Sequence, residues 1–135
     1  MNAVTKFRAW DIKRQWMLYN RESCGYVDYE MHPIAVVNKI LSGEDKNLKF
    51  MQYSGIVDVY EQEIYAGDIV YQEFHDRISE QHGFTGVVVQ REGAWWICNG
   101  KDHAEMLWSE VNLNHVKGNI YENVELIKDF AITLN

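Results

Sequence analysis

Short apolar runs separated by polar, Gly-containing steps dominate the pattern of this chain, which predicts strands and tight turns. Lys6-Phe-Arg-Ala-Trp10 alternates polar and apolar positions, Asp11-Ile-Lys-Arg-Gln15 is a polar turn, and Trp16-Met-Leu-Tyr19 is a second β-like run; together they predict a hairpin. Ile34-Ala-Val-Val-Asn-Lys-Ile-Leu41 fits two descriptions. Pro33 at a first helical position would place Ile34, Val37 and Leu41 on one helical face, with Gly43 as the stop, whereas the β-branched content favours a strand. Ser42-Gly-Glu-Asp-Lys-Asn47 is polar and turn-rich, and it predicts a boundary between an N-terminal β-rich segment, residues 1–49, and a second region, residues 50–135.

From Phe50 the β pattern strengthens. Phe50-Met-Gln-Tyr53 is a short strand, Asp58 to Gln62 a loop, and Gly67-Asp68 launches the strand Ile69-Val-Tyr71. Glycine accepts a positive φ there, which costs other L-residues about 1–2 kcal/mol, and the aspartate can accept backbone N–H groups of the turn. Gly86-Val-Val-Val-Gln90 and Ala94-Trp-Trp-Ile-Cys98 flank Arg91-Glu-Gly93 as a hairpin, and Asn99-Gly100 marks another tight turn. Glu105-Met-Leu-Trp-Ser-Glu-Val111 suits one helical turn or a strand, Val116 to Tyr121 a closing strand, and Val124 to Ile127 the start of a helical turn. The expected fold is mainly β, an N-terminal β segment packed on a small C-terminal barrel.

Composition narrows the class. At 135 residues with 47% hydrophobic and 13% aromatic content, the chain has ample material for a core. No apolar run is long enough to span a membrane as a helix, and the N-terminus lacks an apolar signal segment, so a cytoplasmic protein with Cys24 and Cys98 reduced is expected. The net charge of −7 is uneven: residues 1–50 hold eight Lys/Arg against six Asp/Glu, while residues 51–135 hold five against fourteen. Between Gly55 and Gln90 seven acids face one cation, Arg77, a surface that repels phosphate and argues against a nucleic-acid partner there.

Candidate chemistry is sparse. His75-Asp76 with His82 would need a further donor to hold zinc, and exposed loop histidines explain the same residues more simply. Ser54-Gly55 lacks a nucleophile elbow, Cys98 with His103 carries little weight, and no phosphate-cradling glycine loop is present. The pattern predicts no catalytic residues, no cofactor and no metal. Trp95 and Trp96 are more informative: neighbours on a strand point to opposite faces, so one ring enters the core and the other lies on a surface. Both are candidate partner-binding residues, for another protein or a second copy; the competing expectation is that the second ring covers the N-terminal hairpin. A nucleic-acid alternative uses Lys6, Arg8, Lys13 and Arg14 interleaved with Phe7, Trp10 and Trp16, a patch equally explained as a solvated hairpin flank.

Several of these stretches carry a family resemblance. Lys6-Phe-Arg-Ala-Trp-Asp11, Met51-Gln-Tyr-Ser-Gly55 with Glu63-Ile-Tyr-Ala-Gly-Asp-Ile-Val70, Gly86-Val-Val-Val with Gly93-Ala-Trp, and Lys117-Gly-Asn-Ile-Tyr-Glu-Asn123 resemble, in order, the motifs of the YopX proteins of bacteriophages and prophages. The turn Val57 to Gln62 departs from the family's Asn-Gly, and residues 24–49 match none of its motifs. The resemblance implies an SH3-like barrel in the C-terminal part and a protein working in a host cytoplasm. It implies no activity, cofactor or catalytic residue.

Overall fold

A computed structural model describes residues 6–19, 47–77 and 82–130. Cys24, His32, the segment 34–41 and most of the polar stretch 42–47 lie outside the described residues. Among those described, every regular element is a β-strand except a single 3-10 turn at Val124–Leu126, so the mainly β expectation holds. The chain divides into two compact units, Met1–Tyr53 and Ser54–Asn135.

In the first unit, β1 (Phe7–Asp11) and β2 (Trp16–Tyr19) form the expected antiparallel hairpin, with Asp11 opposite Trp16. Asp11 closes the turn. Its Oδ1 accepts the Arg14 N–H at 3.0 Å and the Asn47 amide at 2.8 Å, and its own carbonyl accepts the Gln15 N–H. The Arg14 backbone hydrogen bond holds the Asp11 carboxyl below its ordinary range, opposed by burial and helped by Asn47. β3 (Leu48–Val57) pairs with the other side of β1, Phe7 facing Gln52 and Asp11 facing Leu48. It is longer than the apolar run Phe50 to Tyr53 announces. The β1 ladder supplies partners for Leu48 and Lys49 as well, and pairing overrides the residue preferences of polar positions.

β3 runs on into the second unit, where its sheet neighbour β4 (Glu63–Tyr65) follows the turn 58–62. The remaining strands are β5 (Asp68–Glu73), β6 (Gly83–Arg91), β7 (Ala94–Cys98), β8 (Ala104–Met106) and β9 (Leu113–Asn119). They form one antiparallel sheet of order β8-β7-β6-β5-β9: a four-strand meander, with β9 returning to the open side of β5. The stretch 105–111, open to two descriptions from sequence, is strand only as far as Met106 and irregular beyond it.

The apolar runs in β5 and β6 are continuous rather than alternating because this sheet is buried on both faces. Val70, Val88 and Ile97 join Ile64 and Leu107 on one side, with Phe84, Trp95 and Val116 packed around them. Ile69 and Val87 meet Ile127 on the other, flanked by Val89, Ile120 and Phe130. Each fully buried aliphatic side chain contributes about 1.5–3 kcal/mol by leaving water.

Turn chemistry sets the register. Glu92 and Gly93, at φ 53° and 76°, link Arg91 to its partner Ala94, the two-residue turn whose twist suits a hairpin. Gly67 sits at φ 88°; its N–H donates to the Val88 carbonyl, and its carbonyl accepts the Ile120 N–H. Asp68, buried beside it, accepts the Tyr65 N–H at 2.8 Å. A β-branched residue at Gly67 must therefore adopt a disfavoured backbone or break two hydrogen bonds. Gly67→Val is expected to lower unfolding stability by about 1–2 kcal/mol, and Gly67→Asn by less, because Asn tolerates the left-handed region. Urea denaturation of both variants checks this; equal, wild-type midpoints would refute the turn assignment.

Candidate functional site

The second unit carries a groove of about 350 Å³ whose walls are two chain segments distant in sequence, 55–59 and 108–114. One wall is built on buried amides. Gln72, 1% exposed on β5, donates through Nε2 to the Met106 carbonyl at 3.0 Å and to Asn114 Oδ1 at 3.0 Å, while its Oε1 accepts from Asn112 Nδ2 at 3.3 Å. Asn114 Nδ2 donates to the Leu107 carbonyl at 2.7 Å, and Asn112 Oδ1 accepts the His75 N–H at 2.8 Å. Ser109 Oγ accepts the N–H groups of Val111 and Asn112. These bonds satisfy the backbone of a segment that has no ladder of its own, as its burial demands. Leu107 is fully buried in the core, so its neighbour Trp108 is turned outward and stands 60% exposed over the groove.

Asp58 organises the opposite wall. Its Oδ1 accepts the N–H groups of Tyr60 and Gln62 at 2.8 and 2.9 Å, and its Oδ2 reaches the Val116 N–H of β9 at 3.1 Å. The Val59 N–H adds a bond to the Asn114 carbonyl at 3.1 Å. A carboxylate pinned by three backbone donors leaves its neighbours Val57 and Val59 facing solvent at 45% and 39% exposure, with Leu113 at 40% across the groove. Exposed apolar side chains thus stand on both walls of the concavity, beside the polar Asp58, Ser109, Asn112 and Asn114.

The candidate residues read from sequence lie elsewhere. Trp95 packs on the core cluster of Ile64, Val70, Val88, Ile97 and Leu107. Trp96, half-buried on the strand's other face, donates its indole N–H to the Arg91 carbonyl at 3.3 Å. Neither lines the groove. Trp108 is not among the residues the sequence singles out, yet it carries a signal: in Met106-Leu-Trp-Ser-Glu110 alternation sets Trp108 beside Met106 and Glu110, away from Leu107.

The other proposed constellations are dispersed. His75 pairs with Glu73, Asp76 with Arg77, and the His82 carbonyl accepts the Phe74 N–H; among the described residues no group of three His, Cys, Asp or Glu side chains is placed to hold a metal ion. Cys98 is a buried thiol, and His103 binds Glu105 while stacking on Phe84 at 4.2 Å. In the basic hairpin, Arg8 and Trp10 are buried, Lys6 lies over Tyr53, and Arg14 lies over Trp16 and beside Asp11. Lys13 is exposed.

Arg77 is committed as well. It bonds Asp76 at 2.9 Å and Glu105 at 3.1 Å and covers the Phe74 ring. Burial pushes the Glu105 carboxyl up, but hydrogen bonds from Arg77 and His103 outweigh it and leave Glu105 below its ordinary range. A lowered folded-state value stabilises the fold above the unfolded value of about 4.3 and loses that contribution as pH falls through the folded one. Glu105→Gln is therefore expected to flatten the acid side of the stability profile below about pH 4.3 while lowering stability at neutral pH; thermal melts from pH 7 downward check it, and a parallel profile would refute it. Asp58→Ala strands three backbone donors and is expected to cost about 1–3 kcal/mol in urea denaturation, with Asp58→Asn recovering part. Wild-type stability in the alanine variant would remove Asp58 from its organising role.

Comparison with known proteins agrees with this architecture. The crystal structure of protein EF1440 from Enterococcus faecalis superposes with a TM-score of 0.55 at 21% identity, covering 94% of this chain and 100% of that one, a likeness of fold. A search of curated proteins finds no match. The family model described as YopX protein matches residues 6–128, from the start of β1 through the 3-10 turn, and on that span the chain belongs to the YopX family.

Proposed function

We propose that this chain is a non-catalytic protein-binding module, encoded by a bacteriophage or prophage and working in the host cytoplasm, with the groove beside Trp108 as its docking surface. The observation that carries the reading is Trp108 itself, 60% exposed on a hydrogen-bonded scaffold above a groove whose lining mixes Val57, Val59 and Leu113 with amide and hydroxyl side chains. Tryptophan is enriched where interfaces concentrate their binding energy, because a large rigid ring leaves water at little entropic cost. The sheet order, a meander with its last strand returned to its first, supports an SH3-like barrel as the scaffold.

The non-catalytic part of the reading draws on the chemistry of the groove. Among the described residues, Asp58 is its one titratable lining residue, and that carboxylate is occupied by three backbone N–H groups. Glu105, His103 and Arg77 bind one another outside its lining. Acid-base chemistry needs a group able to reach a substrate proton, and none is offered here.

Pull-down from host cells with the wild-type chain and Trp108→Ala, analysed by mass spectrometry, tests the proposal. Proteins retained by the wild type are expected to be lost, by tenfold or more, from a variant whose melting temperature is unchanged. An identical set of proteins on both baits would overturn the groove as the docking surface.

A further inference from the structure

The walls of the groove have a charge character that its shape alone does not require. The segments 54–63 and 106–116 contain Asp58, Glu61, Glu63 and Glu110 and no Lys or Arg. Asp58 is buried and internally satisfied, but Glu61 and Glu110 are exposed, one in the turn beside Val59 and the other in the segment beyond Trp108. Glu73 lies opposite Leu113 in the β5–β9 ladder, but His75 and His115 engage its carboxylate. Along the chain the nearest cations are Lys49, Lys101 and the exposed Lys117, which directly follows Val116, while Arg77 is held by Asp76 and Glu105. Walls of mixed apolar and amide character thus stand beside exposed acids, with Lys117 as the adjoining cation in the sequence and the acids Glu61 and Glu110 outnumbering it.

We propose that the groove takes an extended segment of another protein in which a bulky aliphatic or aromatic side chain is flanked by lysine or arginine. This rests on the docking reading above and specifies its partner. A volume of about 350 Å³ suits one or two inserted side chains rather than a folded domain. Val57, Val59, Trp108 and Leu113 receive the apolar residue, and Glu61 and Glu110 meet the flanking cations. Complementary charge of this kind accelerates encounter and rejects wrong partners more than it adds affinity.

The same charges discriminate among other occupants. A second copy meeting this one through a two-fold axis would place groove against groove and acid against acid, which is repulsive. Phosphate-bearing polymers face the same repulsion. An acidic peptide would fit the walls and be refused by the surround. A cationic apolar segment satisfies both.

Selection from a displayed random library of 12-residue peptides tests this, with the full chain as bait and Trp108→Ala as the counter-selection. Peptides that require Trp108 are expected to carry Lys or Arg within a few residues of an aromatic or aliphatic one. Their affinity is expected to fall about tenfold between low and high salt, and Glu61→Lys combined with Glu110→Lys is expected to reverse the preferred charge. Trp108-dependent peptides without a cationic preference would overturn this proposal and leave the docking reading standing. Recovery of no Trp108-dependent peptide would overturn both. Sedimentation of the free chain supplies the last arm: a dimer that Trp108→Ala dissolves would replace the peptide by a second copy.

Discussion

A buried polar group must find its partner inside the protein, and Gln72 is where that constraint shapes this molecule. Its amide sits on β5 two residues from Val70, which belongs to the same core cluster as Leu107. It is satisfied only because Asn112, Asn114 and the Met106 carbonyl converge on it. Those bonds fix an irregular segment that no strand pairing would hold. Leu107, also tied to β7 through its N–H on the Trp95 carbonyl, is carried inward, and Trp108 is left outside. The exposed tryptophan is therefore a consequence of a satisfied amide network rather than of a loose loop. An unsatisfied amide in the same place would cost about 1–3 kcal/mol.

The opposite wall obeys the same logic with a carboxylate in place of amides. Asp58 gathers the donors of its own turn and of β9. In doing so it also covers part of the outer edge of β9, where the Val59 N–H binds the Asn114 carbonyl. An uncovered edge strand invites indiscriminate pairing, and this turn limits that exposure while presenting two valines beside it. Protection of an edge and construction of a binding wall are thus one device.

What the sequence disclosed follows the range of the interactions involved. The β6–β7 hairpin was legible because Glu92-Gly93 determines its own backbone, and the Gly67-Asp68 step because its φ and its carboxylate bond are local. That both faces of the β5–β6 sheet are covered emerges only from the structure, though the continuous apolar runs accord with it. The full length of β3 was not legible, since β1 supplies partners for Leu48 to Gln52 and β4 flanks it as well. The groove was hidden for a stronger version of the same reason. Its walls meet through contacts such as Asp58 to Val116 and Gln72 to Asn112, which no window on the sequence contains. Trp95 and Trp96 are conspicuous as two adjacent rings in one strand, whereas the exposure of Trp108 depends on how a segment without regular structure is tied down.

The direct measurement is on the indole N–H groups of the free chain, labelled with nitrogen-15 at tryptophan and exposed to a soluble paramagnetic chelate. The account predicts that the Trp108 signal broadens first and that Trp95, packed on the core, resists. A Trp108 signal as protected as that of Trp95 would mean that the groove is closed or filled by the protein itself, and would contradict the account.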